Sequence, residues 1–138
     1  MNLASALPVQ SSNIDTAEAL EGIYAVGFDL IERENWKDAS DVFRAMLLLA
    51  PRDERAWIAL GQCHERQGQE HVAVELYSMG ILAIPSAVRC RIALARALEA
   101  RGDSMNADSV LDAAENIASE SSEDELVDLV RRERGGRS

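Results

Sequence analysis

Residues 57–85 read "WIALGQCHERQGQEHVAVELYSMGILAIP", an amphipathic helical stretch that carries glycines at Gly61 and Gly80 where helix should continue. A helix-interior glycine costs up to ~1 kcal/mol against alanine, so something else keeps these positions bare. Displacing the stretch by 34 residues shows what it is. Toward the N-terminus it meets "IYAVGFDLIERENWKDASDVFRAMLLLAP", residues 23–51. Gly61 then falls on Gly27, Ala73 on Ala39, Tyr77 on Phe43, Gly80 on Met46 and Pro85 on Pro51. Toward the C-terminus the series runs on to Ala95, Ala107, Leu111, Ala114 and Ser119. The triples Val26, Leu60, Leu94 and Glu34, Gly68, Gly102 agree as well. A fixed period of this length marks an array of stacked units. Small residues recur in it so that helices can approach closely, and Gly61 is a packing position.

Trp57, Leu60, Gly61, Gly68, Ala73, Tyr77 and Pro85 stand at spacings that resemble the tetratricopeptide repeat (TPR). The fold class expected is therefore all-α, a helical solenoid of three 34-residue helix-turn-helix repeats at 20–53, 54–87 and 88–121. These make up a body over 13–121, and a capping helix over 122–134 closes the open end. Residues 1–12 and 135–138 read as disordered tails. Asp15 with Glu18, and Ser122 with Glu125, have capping-box spacing. Asn35, Asp53, Ser86 and Asp103 stand where helix N-caps are needed. Gly68 and Gly102 suit the left-handed residue that ends a helix, while Pro51 and Pro85 close the first two repeats.

Composition narrows the function classes. With 47% hydrophobic residues the chain can build a core, and with only 4% aromatics that core must rest on fine aliphatic packing. A formal net charge of −10 argues against nucleic acid, whose binding needs clustered Lys and Arg, and against an anionic membrane surface. No apolar run is long enough to span a bilayer, and the first residues lack the basic start of a signal peptide. Cys63 and Cys90 follow no disulfide framework, so free thiols in a reducing cytoplasm are expected.

No nucleotide-binding glycine loop, nucleophile elbow or zinc-protease motif occurs. Cys63 and His64 are chain neighbours, but adjacent helical side chains point about 100° apart and do not make a nucleophile–base pair. His64 and His71 straddle the turn at Gly68 without further ligands, so no metal, no cofactor and no enzyme activity are expected. The acidic run 120–128 reads as a solvated helix start and "RRERGGR" as a helix end that then frays.

In a solenoid of this kind the first helix of each repeat lines a groove. Positions facing it are Glu21, Tyr24, Phe28, Ile31 and Glu32, then Arg55, Ile58, Gln62, Glu65 and Arg66, then Arg89, Ile92, Arg96, Glu99 and Ala100. Tyr24, Phe28, Ile31, Ile58 and Ile92 make an apolar stripe bordered by Arg55, Arg66, Arg89 and Arg96, with Gln62 beside them. Apolar surface rimmed by charge marks an interaction site, here for apolar side chains of an extended peptide. TPR domains that hold acidic C-terminal tails use Lys and Asn where this chain has Tyr24 and Phe28.

A narrower resemblance covers residues 20–118. Tyr24 with Phe28, "LGQC" at 60–63, "YSMG" at 77–80 and "NADSVLDAAENIA" at 106–118 look like the class II chaperones of type III secretion systems. Ile31 departs from that family's usual tyrosine, and "RCRIALARAL" departs from the usual start of its third repeat. The resemblance implies a cytoplasmic chaperone that holds a short proline- and leucine-containing segment of a hydrophobic translocator in its groove. The client then stays soluble and export-competent, with no chemical step. It also implies a homodimer through N-terminal helices. Other roles compatible with a TPR array are a scaffolding module in envelope or pilus assembly, and a regulator that sequesters a transcription factor.

Overall fold

The computed structural model describes residues 13–136, so the expectations for residues 1–12 and for the last two residues of the tail lie outside it. The described chain is helical throughout. Helices α1 (Asn13–Glu32) and α2 (Trp36–Leu49) form the first hairpin, α3 (Glu54–Arg66) and α4 (Glu70–Ala83) the second. Helices α5 (Val88–Ala100) and α6 (Ser104–Glu120) form the third, and α7 (Asp124–Gly135) follows. Each helix packs on the next in sequence, α3 also touches α5, and α7 lies on both α6 and α5. This is the stack that the period requires.

The bare positions do what the sequence demanded. A Cβ on Gly61 would stand 2.2 Å from the Tyr77 ring, and one on Gly27 would stand 2.5 Å from the Phe43 ring. Phe43 and Tyr77 thus press their rings close against the backbone of the first helix. Gly80 is bare for its neighbours on both sides, since its Cβ would meet Trp57 at 2.9 Å and Cys90 Sγ at 3.1 Å. Ala39, Ala73 and Ala107 are wholly buried at the matching helix crossings. Around them Phe43 and Met46, then Tyr77, then Leu111 and Ala114 fill the interior. Tyr77 keeps a polar exit, its hydroxyl donating to Glu65 Oε1 at 2.9 Å.

The turns repeat too. Asn35 accepts from the Asp38 amide, Asp53 from Arg55 at 3.2 Å and Asp103 from Asn106 at 3.3 Å, each capping the helix that follows. Gly68 and Gly102 adopt φ of +76° and +80°, and Glu34 adopts +57° at the equivalent place although it carries a side chain. Trp57 Nε1 donates to the Pro51 carbonyl at 2.8 Å, and Arg91, one period later, donates to the Pro85 carbonyl at 2.8 Å. Different residue types thus close the same loop.

Three expected caps are replaced. Helix α1 already runs from Asn13, which puts Asp15 inside its first turn instead of at its cap. Helix α7 starts at Asp124 behind Glu123 without a side-chain cap, and Ser122 takes a left-handed φ of +61°. Helix α5 starts behind Ala87, so Ser86 stands one residue too early. Its acceptor arrives from the preceding repeat: Glu54 Oε2 takes the Cys90 amide at 3.3 Å. Burial raises the Glu54 carboxyl above its ordinary value, and its hydrogen bonds with α5 oppose that shift.

Candidate functional site

The first helices α1, α3 and α5 present one face, and the expected side chains are spread along it. On α1, Tyr24 and Phe28 lie one turn apart with ring centroids 6.2 Å from each other. Tyr24 also meets Phe43 edge-on at 6.0 Å, which anchors it, whereas Phe28 is 46% exposed. Ile31 is half-buried and packs into the Phe43 cluster, so it supports the face more than it lines it.

The Arg55 guanidinium from α3 sits 4.6 Å over the Tyr24 ring. It is held there by Asp53 at 2.8 Å and Glu21 at 2.9 Å. The Arg55 hydrogen bond holds the Asp53 carboxyl below its usual range, and the same contacts, chiefly Asp53, raise Arg55. A cation stacked on a ring and pinned by two carboxylates is a fixed platform. Glu21 was expected on the groove face and Asp53 only as a helix cap, and their joint grip on Arg55 was not foreseen. The signal was in the sequence, because Glu21 and Arg55 stand one period apart with opposite charge.

Farther along, Ile58, Gln62, Arg89, Ile92, Ala93, Arg96 and Leu129 surround a cavity of about 210 Å³. The stripe changes character here. Ile92 is only 4% exposed and belongs to the core cluster with Leu111, Ala114 and Val130. It is therefore a core side chain that shows an edge at the cavity, not an open strip residue. Arg96 is clamped by α7, its Nε and Nη2 each 2.8 Å from the Glu133 carboxylate, and that pairing raises its pKa. Arg89 is exposed and forms no ion pair among the described residues, although its charge acts on Glu54. Arg66 stands apart from the cavity with its guanidinium 5.6 Å from the Trp36 ring. Leu129 and Glu133 were not expected at this face, because how α7 docks is a tertiary matter.

Nucleophilic chemistry finds no footing around the thiols. Cys63 and Cys90 are fully buried, and burial pushes both thiols up, Cys90 to about 12, so neither offers a thiolate. His64 is bonded to Arg44 Nη2 at 3.0 Å and to Gln69 Oε1 at 2.6 Å, not to its neighbour Cys63. No group of three potential metal ligands gathers among the described residues. No helix among them is long and apolar enough to cross a membrane.

No family model matches the chain. It is 28% identical over 108 residues to the low calcium response locus protein H of Yersinia pestis, covering 78% of this chain and 64% of that protein. The chain thus spans slightly less than two thirds of that curated relative. Its fold is similar to the type III secretion translocator chaperone SycD of Yersinia enterocolitica, with a TM-score of 0.76 at 26% identity, covering 88% and 89% of the two chains. It is also similar to PcrH of Pseudomonas aeruginosa, solved in complex with the chaperone binding region of PopB. That match has a TM-score of 0.70 at 27% identity and covers 84% of this chain and 94% of the other. In sequence and in fold, the chain resembles translocator chaperones built from TPR hairpins.

Proposed function

We propose that the chain is a cytoplasmic, non-enzymatic secretion chaperone. It holds an extended apolar segment of a hydrophobic translocator on the face of α1, α3 and α5 and keeps that client soluble before export. The observation that carries this reading is the exposed Phe28 beside Tyr24, whose ring carries the Arg55 platform. A monomer that needed these rings for its own core would bury Phe28, and it stands half in solvent. The relative solved with a translocator's chaperone binding region supports the same role.

The mechanism is shape and desolvation. Burying an aliphatic or aromatic side chain gains roughly 1.5–3 kcal/mol before ordering costs are subtracted. Those costs are large for an extended peptide, so a net affinity near micromolar (~8 kcal/mol) follows. Release for export then needs no energy-consuming step within the chaperone. The test is co-expression with a candidate translocator, one with long apolar segments, followed by capture. Phe28→Glu would put a charge where the client must bury it and should abolish capture, with the melting temperature unchanged. Capture that survives Phe28→Glu removes the face of α1 from client binding. A homodimer would show in the same preparations as a doubled mass by light scattering.

A further inference from the structure

Between the second helices α4 and α6 lies a cavity that shares no residue with the first-helix face. Ile81 and Leu82 of α4, Leu94 of α5, and Val110 and Ala113 of α6 wall about 430 Å³. One period earlier the matching positions hold Leu47, Leu48, Leu60, Leu76 and Met79, and Trp57 stands in the place of Arg91. There the indole fills the space, for Trp57 is 9% exposed and packs with Leu47 and Leu76. Between α4 and α6 the ring and the methionine give way to Arg91 and Ala113, and the space stays open. We propose that this cavity binds a straight-chain amphiphile with an anionic head, namely a medium-chain carboxylate. Its tail lies where the second repeat has its indole, and its head meets Arg91. The site does not rest on the reading of the first-helix face as a peptide-holding surface.

The occupant follows from size, lining and charge. About 430 Å³ falls within the roughly 300–1,000 Å³ of small-molecule sites. The walls are aliphatic, with no aromatic side chain on which a planar ring would stack. Leu82 is 81% exposed although it lines the cavity, so an alkyl tail would take its side chain out of water. Arg91 is half-buried, and its Nη1 donates to the Pro85 and Ala87 carbonyls, each at 2.8 Å. Its Nε and Nη2 bond nothing among the described residues, and no carboxylate lines the cavity. Burial lowers the Arg91 pKa, and Cys90 and Glu54 offset that only in part. The remaining polar lining is two hydroxyls, Ser109 and Ser78, of which Ser78 already donates to the Val74 carbonyl at 2.8 Å. The chain's net charge of −10 opposes anions at long range, so the tail must supply most of the affinity.

The test titrates the full-length protein with hexanoate, octanoate and decanoate by calorimetry, each below its micelle concentration. Affinity should rise about two- to fourfold with each added methylene. Decyltrimethylammonium, with the same tail and the opposite charge, should bind at least about fivefold more weakly than decanoate. Arg91→Trp copies the second repeat, where Trp57 Nε1 makes the hydrogen bond to Pro51 that Arg91 makes to Pro85. The loop thus keeps a donor while the ring fills the cavity, and decanoate should bind at least about tenfold more weakly. Ala113→Met fills the cavity and leaves Arg91 in place, and should weaken decanoate at least about fivefold. Ala113 is only half-buried, so this second variant keeps its fold even if Arg91→Trp loosens α5. Three results would each overturn the site: no binding of any carboxylate, binding indifferent to tail length or head charge, and decanoate held by Ala113→Met as tightly as by the unaltered protein.

Discussion

Tyr24, Ile58 and Ile92 occupy one position of the repeat, and Phe28, Gln62 and Arg96 another, yet the two ends of the first-helix face differ. At the first repeat Phe28 stands open to solvent beside a half-buried Tyr24. At the third, Ile92 is sealed into the core and Arg96 is clamped by α7. Repeat position fixes where a side chain points. What packs beside it fixes whether it is core or surface. The first repeat has no described helix beyond it, whereas the third has α7 against it.

The sharpest way to break this comparison is to place the same substitution at both ends. Ile92→Glu buries an unpaired charge and should cost about 3–5 kcal/mol, read as a large fall in the melting temperature. Phe28→Glu should cost less than ~0.5 kcal/mol, because its carboxylate stays in water. Equal losses at the two ends would show that Phe28 belongs to the core after all.

A second comparison lies inside the hairpins. The first two repeats set glycine against an aromatic, Gly27 with Phe43 and Gly61 with Tyr77, while the third sets Ala95 against Leu111. Each pair shares out the same space differently. Gly61→Ala alone should cost about 1–3 kcal/mol, since its methyl group would overlap the Tyr77 ring. Combining it with Tyr77→Leu recreates the third repeat's pair in the second. Denaturant unfolding of the two single variants and the double should show a favourable coupling of about 1 kcal/mol or more. Strict additivity would mean that the ring and the glycine do not share that space.

The smallest effect sharpens the same contrast at the turns. Glu34 adopts the left-handed conformation that Gly68 and Gly102 hold in the later repeats. Glu34→Gly removes that strain at some entropic cost, and should raise stability by about 0.5–1 kcal/mol in chemical denaturation. A loss of stability instead would mean that the Glu34 side chain contributes more than its backbone costs.

These residues also show how far the sequence could be read. The period, the paired glycines and the turn positions were legible because each is a local or strictly repeated signal. The direction of Tyr24, Phe28, Ile58 and Ile92 followed from the period together with the resemblance to a TPR array. Their exposure did not, because the seal over Ile92 comes from Leu129 and Val130 on a helix outside the repeat. One missed cap has the same cause. Ser86 and Ser122 look like caps to any local rule, yet α5 takes its acceptor from Glu54, 36 residues away from Cys90 in sequence. No window-based signal reports a partner at that distance.

That borrowed acceptor gives the array a direction in time. Helix α5 opens without a cap of its own, so its first amides have only water as partner until α3 brings Glu54 to the Cys90 amide. On a ribosome the second repeat emerges before the third and can be folded when residues 88–90 appear. Each later unit is then built on a surface that already offers what it lacks. Growth from the other end would have to start α5 with its first turn capped by water alone, so the chain is suited to set from its first repeat toward its last as it is made.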